Sequence, residues 1–189
     1  LDVTMLRREK IYFITGHSEL RIDNTDAQLG LSTLRNELQA RNFDVESFDF
    51  PANRRLPDDA SLLVVVSPQS AFSRQEQEML RQYLANGVGA NGAGRMIFFL
   101  SVGKSTAELG LEELLLDWGV LVHNDVILDP APGNMTENLE LLIRALDPKH
   151  PITKSLVASG SQALKFGLTR TVVPDPGRAL GGGLSVTTI

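Results

Sequence analysis

Residues able to do chemistry gather in one short stretch, Thr15-Gly16-His17-Ser18-Glu19, directly after the apolar run Ile11-Tyr12-Phe13-Ile14. Such a run is long enough for a strand buried on both faces and too short for a helix. In an open parallel α/β sheet, ligands collect just beyond the carboxyl ends of the strands, so this stretch stands at the crevice. An imidazole beside a carboxylate and two hydroxyls can move a proton, hold a cation or bind a polar partner. Gly16 supplies an unusual backbone angle there, and the polar side chains equally suit caps for the next segment.

A second candidate is Ser101, which follows the apolar run Met96 to Leu100 and could sit on a nucleophile elbow. Elbows want small residues two positions either side; Gly103 qualifies and Phe99 does not. With His17 or His123 as base and Asp125 or Asp129 as orienting acid, Ser101 would make a serine hydrolase. His17, Glu19, His123 and Asp125 together offer donors for a divalent metal, a second hydrolytic route. The plain alternatives are a serine satisfying backbone groups at its turn, and histidines in ordinary hydrogen bonds. Two glycine strings match phosphate motifs in letters only. Gly87-Val88-Gly89-Ala90-Asn91-Gly92 follows a helix and enters a strand, the reverse of a dinucleotide fingerprint. Gly103-Lys104-Ser105 ends like a P-loop, but Phe98 holds the place of its leading glycine. No cofactor, resident metal or catalytic set is therefore expected. The expectation is a polar rim of Thr15, Gly16, His17, Ser18, Glu19, Ser67, Gln69, Ser101 and Lys104 that binds a ligand or partner.

Alternating strands and helices must position that rim. Leu31, Leu34 and Leu38 repeat at helical spacing behind a cap at Ser32, predicting a helix that ends near Asn42. Phe43 to Phe48 alternates apolar and acidic residues, as a strand near the sheet edge does; such an edge could also dimerise or dock. Pro51 and Pro57 bracket a turn before Leu62 to Val66, a central buried strand closed by Ser67-Pro68. Ser73-Arg74-Gln75-Glu76 has the spacing of a capping box and opens a helix presenting Met79, Leu80, Tyr83 and Leu84 to the sheet. Met96 to Leu100 is the fourth strand. Leu111, Leu114, Leu115 and Trp118 form a core-facing helical stripe that Gly119 ends. Val120 to Val122 and Val126 to Leu128 read as short strands, Asn138 to Leu146 as helix, and Asp147 to Pro151 as a connection. Ala163 to Val173 has strand character. The alternation predicts an α/β, three-layer sandwich with a mostly parallel central sheet. Residues 1–173 read as a single domain with its core at 10–130 and an extension at 131–173; residues 174–189 read as a disordered or truncated tail.

The 189 residues, 42% of them apolar, suffice for one ordinary core without a metal or disulfide. Net charge is −5 and the basic residues are scattered, which argues against nucleic acid as a partner. The absence of cysteine removes disulfides, thiolate metal sites and cysteine nucleophiles. No apolar run approaches the ~20 residues of a membrane span. A start at Leu1 and a stop at Ile189 suggest an excised piece of a longer protein.

Several separated stretches resemble, in order, the soluble domain of GldG-like ABC-transporter auxiliary proteins. They are Lys10 to Glu19, Pro57-Asp58-Asp59-Ala60 before Leu62 to Val66, Ser67-Pro68, and Phe72-Ser73 with Glu76 and Tyr83-Leu84. Further on come Leu115 to Val122 with Asp125 to Asp129, and His150-Pro151-Ile152-Thr153. That family is related to the GIFT domain of intraflagellar-transport proteins. The resemblance implies a flavodoxin-like or class I glutamine-amidotransferase-like fold and no enzymatic activity. It also implies membrane anchoring through segments outside this sequence, an extracytoplasmic (periplasmic) position, and ABC permease and ATPase subunits as partners. A small molecule or saccharide would be a further ligand. In the amidotransferase comparison, Met96 to Gly103 would occupy the strand and elbow of the nucleophilic cysteine. Ser101 stands there instead, so glutaminase chemistry by that route is excluded.

Overall fold

Strand β1, Lys10–Thr15, buries Ile11, Tyr12, Phe13 and Ile14, the two-faced burial that an unbroken apolar run calls for. The computed structural model describes residues 8–86, 94–102, 108–160, 163–177 and 185–186. Contacts divide the chain into two units that part between Leu111 and Glu112.

In the first unit β1 is followed by α1 (Ser32–Ala40), β2 (Asp44–Asp49), β3 (Ala60–Val66), α2 (Arg74–Asn86) and β4 (Met96–Phe99). The four strands form one parallel sheet in the order β2-β1-β3-β4. Helices flank it, giving the α/β sandwich expected. On one face Ile11, Phe13, Val45, Val64 and Val66 pack with Leu31 and Leu38 around α1. The alternate residues Tyr12, Ile14, Leu63 and Val65 are buried on the opposite face, and α2 buries Leu80 and Tyr83. Two chain reversals carry the register. Lys10 Nζ bonds Glu46 (2.9 Å) and Asp59 (3.1 Å), tying the starts of β1, β2 and β3. These hydrogen bonds, that to Glu46 first, raise the Lys10 pKa above its ordinary value. At the other reversal, the Tyr83 hydroxyl donates to Arg95 O (3.1 Å) and accepts from Arg95 N (3.2 Å), fixing the entry of β4 against α2.

The second unit holds α3 (Glu112–Asp117), β5 (Val120–Val122), β6 (Leu141–Ile143), α4 (Pro151–Ala158), β7 (Leu164–Phe166) and β8 (Val172–Pro174). Its strands pair antiparallel, β5 with β8 and β6 with β7. Leu114 is buried while Leu115 and Trp118 are half-buried, and Gly119 at φ +75° ends the helical stripe as expected. Buried Arg170 lies 3.6 Å from Glu112.

Four local expectations are corrected. Asn138 to Leu146 is not helical: Leu139 sits at φ +61°, which no α-helix accommodates, and Leu141–Ile143 is strand β6. Val126 to Leu128 makes no ladder, its Ile127 amide bonding Thr169 O alone (3.2 Å). Pro151 opens α4 rather than breaking the chain, because proline suits the first helical position and His150 Nδ1 accepts from Ile152 N. Ser32 is already helical, and the cap position is Leu31, with no side-chain cap bond. Ala163 to Val173 resolves into β7 and β8. The Gly87 to Gly92 string, Gly103-Lys104-Ser105, and the tail beyond Gly177, apart from residues 185–186, lie outside the described residues.

Replacing Tyr83 by phenylalanine removes its hydroxyl from between the two Arg95 backbone groups. The expected loss is about 1–3 kcal/mol of unfolding free energy with no change of fold, read from urea denaturation curves.

Candidate functional site

Strand order reverses direction between β1 and β3, so a doubly wound sheet would bind its ligand in the crevice beyond their carboxyl ends. Here backbone hydrogen bonds tie the turns after β1 and β3 together. His17 O accepts from Gln69 N (2.8 Å) and Ser70 N (3.2 Å), and Leu20 N donates to Val66 O (3.0 Å). Both turns hold a serine in the left-handed region, Ser18 at φ 61° and Ser67 at φ 55°. Each costs roughly 1–2 kcal/mol, which the cross-strand bonds offset. Gly16, at φ +119°, passes so close to Pro51 that a Cβ would lie 2.2 Å from Pro51 Cδ.

His17 is only 4% exposed. Its ring stacks on Phe72 (centroids 3.8 Å apart, 17° between planes) and meets the edge of Phe50. Nε2 lies 3.3 Å from Glu76 Oε2. Nδ1 lies 3.3 Å from Glu19 Oε1, at ion-pair distance although not aligned as a hydrogen bond. Glu19 Oε2 also accepts from the His17 amide (2.7 Å). Burial alone would lower the imidazole pKa, but Glu19 and Glu76 together outweigh it and raise the value above normal. Burial would likewise raise the Glu76 pKa, yet the Ser73 and His17 contacts lower it. The predicted capping box is present: Ser73 N donates to Glu76 Oε2 (2.7 Å) and Glu76 N to Ser73 Oγ (3.3 Å). One carboxylate therefore caps α2 and holds the histidine.

The other rim residues form a second cluster. Ser67 Oγ and Ser101 Oγ share a hydrogen bond, and Gln69 Nε2 donates to Ser67 Oγ (3.1 Å) and Ser101 Oγ (3.4 Å). Thr15 Oγ1 donates to Phe48 O (3.2 Å). The turns after β1, β3 and β4 thus converge, with Gly16 and Ser18 exposed and Thr15, Ser67, Gln69 and Ser101 half-buried. Lys104 lies outside the described residues. Both ring nitrogens of His17 face carboxylates, so it is not a base for Ser101. His123 and Asp125 belong to the second unit, where Asp125 Oδ1 accepts from Thr171 N (3.2 Å). Among the described residues no group of three or more His, Asp or Glu is placed to hold a metal.

One feature lay beyond sequence reasoning. Beside His17 opens a cleft of about 480 Å³ between the loop after β2 and the start of α2, lined by Phe50, Asn53, Arg54, Phe72, Gln75 and Met79 among others. It continues, through shared Arg54 and Met79, into a second hollow of about 290 Å³ bounded by Arg55, Leu56, Gln82 and Asn86. The lining residues Gln75, Met79, Gln82 and Asn86 repeat at helical spacing, but the sequence carries no signal that Arg54 and Arg55 face them.

Fold and site define an α/β domain in which the turns after β1, β3 and β4 are tied together at the carboxyl end of the sheet. The chain belongs to the family described as an ABC-type uncharacterized transport system, whose model matches residues 8–174. It is an auxiliary component of an ABC-type transport system, and its role in transport is accessory. A solved structure, the mmIFT52 N-terminal domain, is similar at a TM-score of 0.61 and 20% identity, over 89% of this chain and 70% of that one. At that identity the likeness concerns the fold. No curated protein sequence matches the chain. No helix among the described residues is long and apolar enough to cross a membrane.

Two outcomes follow from the His17 cluster. A raised histidine pKa stabilises fully below its ordinary value near 6.5 and is lost as pH rises through the folded value. The urea midpoint should therefore fall as pH climbs above about 6.5, and Glu76→Gln should flatten that dependence while costing about 1–3 kcal/mol. Gly16→Ala, which forces a methyl group into Pro51 at a positive φ, should lower stability by at least about 2 kcal/mol in the same assay.

Proposed function

We propose that this domain is a non-catalytic recognition module of a GldG-like transport system, engaging a partner subunit at the extracytoplasmic face. The observation that carries this reading is how the polar groups at the sheet's carboxyl end are used. His17 is held between Glu19 and Glu76, and Ser101 is bonded to Ser67 and Gln69, so the imidazole is engaged by carboxylates rather than placed as a base for Ser101. What these groups hold in place is the surface around them. The cleft beside His17, together with the exposed turn at Gly16 and Ser18, is the contact region.

A partner subunit fits this surface better than a saccharide or other small molecule. Small ligands favour pockets that enclose them and offer an apolar or aromatic lining. Phe50 and Phe72 line this cleft but are buried, and its exposed lining residues Asn53, Arg54, Ser73 and Gln75 are polar. The strained serines at both turns also suit a contact surface, since backbone strain concentrates at functional sites. The extracytoplasmic position is supported by the resemblance to GldG-like proteins.

Photo-crosslinking tests the assignment. A benzoylphenylalanine at position 75, an exposed residue of the cleft, should capture an ABC permease subunit in membranes of cells carrying the complete system. The same group at position 37, exposed on α1, should not. No capture of a permease subunit from position 75 overturns the proposal, and covalent labelling of Ser101 by a fluorophosphonate would favour a serine hydrolase instead.

A further inference from the structure

The two hollows along α2 form one groove, because Arg54 and Met79 line both. One wall is the helix, through Gln75, Met79, Gln82 and Asn86. From Gln75 to Asn86 it advances about 16 Å. That length matches about five residues of extended chain at roughly 3.3 Å each. The opposite wall is the loop between β2 and β3, carrying Arg54 and Arg55.

The charge of this groove differs from that of the chain. Net charge overall is −5. Four cations of the first unit are neutralised by neighbours: Lys10 by Glu46 and Asp59, Arg21 by Asp23, Arg41 by Glu37, Arg81 by Glu78. Arg54 and Arg55 are exposed, and neither guanidinium has an ion-pair or hydrogen-bond partner among the described residues. The acidic residues lining the groove do not cancel them: Glu76 is held by His17 and the Ser73 amide, and Asp58 stands alone against two arginines. Guanidinium groups bind carboxylates through paired N–H donors, and an unpaired pair in a groove selects such a partner. Leu56 beside the arginines and Met79 on the helix are half-buried and offer apolar contact.

We infer that the groove receives an extended, acidic segment of a partner subunit, with alternate carboxylates on Arg54 and Arg55 and the intervening apolar side chains on Leu56 and Met79. Alternation follows from extended backbone, in which successive side chains point to opposite sides. The amide side chains of Gln75, Gln82 and Asn86 are placed to bond the segment's backbone, as grooves that take extended peptides do. This inference rests on the reading of the domain as a partner-recognition module and adds the partner's chemistry to it.

The test is direct binding, measured by fluorescence anisotropy with the full chain and a dye-labelled peptide of alternating glutamate and leucine. A peptide of alternating glutamine and leucine is the neutral control. The acidic peptide should bind at least tenfold more tightly than the neutral one, and the preference should shrink as salt is raised. An Arg54→Glu, Arg55→Glu double variant should lose that preference while keeping the wild-type thermal midpoint, since both side chains are exposed. Equal binding of the two peptides, no binding of the acidic peptide up to about 1 mM, or a double variant that still prefers it would each overturn the inference. The crosslink from position 75 separates this failure from a deeper one. If the double variant still captures a transporter subunit, the charge inference falls and the recognition module stands; if the wild-type chain captures none, the recognition module itself falls.

Discussion

The upper end of this domain depends on one buried histidine held between two carboxylates. His17 belongs to the turn after β1, Glu19 to the same turn, and Glu76 to the first turn of α2. An imidazole removed from water and stacked on Phe72 is poorly solvated as a cation, and a carboxylate as little exposed as Glu76 is poorly solvated as an anion. Each makes the other's charged form tolerable, and neither could be removed without leaving a buried charge uncompensated. Helix α2 is thereby fastened to the end of β1 by a contact that also supplies its own N-terminal cap. The groove wall formed by α2 is set in place by the same residues.

The turns at the switch point of this sheet are likewise tied to one another. Hydrogen bonds from Gln69 and Ser70 to His17 O, and from Leu20 to Val66 O, join the turns after β1 and β3 across the gap where a ligand would enter. Ser67, Gln69 and Ser101 extend the join to the turn after β4. The cleft beside His17 lies to the side of this join, between α2 and the loop after β2. A domain built this way is suited to presenting a fixed surface, and that agrees with an auxiliary part in a transport system.

What the sequence disclosed followed the range of the interactions responsible. Apolar runs such as Ile11 to Ile14 and Leu62 to Val66 declare buried strands because burial on both faces is a local property of side-chain type. The Ser73 to Glu76 box declared a helix start because both of its bonds span three residues. Short elements were less legible. β6, paired with β7, is sustained by a partner more than twenty positions away, and its sequence Leu-Leu-Ile suits a helix equally well until Leu139 adopts its left-handed angle. Pro151 carries opposite meanings in a loop and at a helix start, and only the His150 cap decides between them.

The candidate site divides along the same line. That His17, Ser67, Gln69 and Ser101 share one end of the sheet was readable, because strand ends are where such residues collect. That Glu76 reaches His17 was not, since its capping role already explained its presence and a second role leaves no further mark on the sequence. The groove was equally hidden: Arg54 and Arg55 sit in a proline-bracketed loop with no periodicity, so nothing local distinguishes them from solvated surface charges. Only the packing of that loop against α2 turns two ordinary arginines into one wall of a channel. The residues with the plainest chemical character are thus the ones bound to one another at the end of the sheet, and the groove is lined by residues that the sequence alone would pass over.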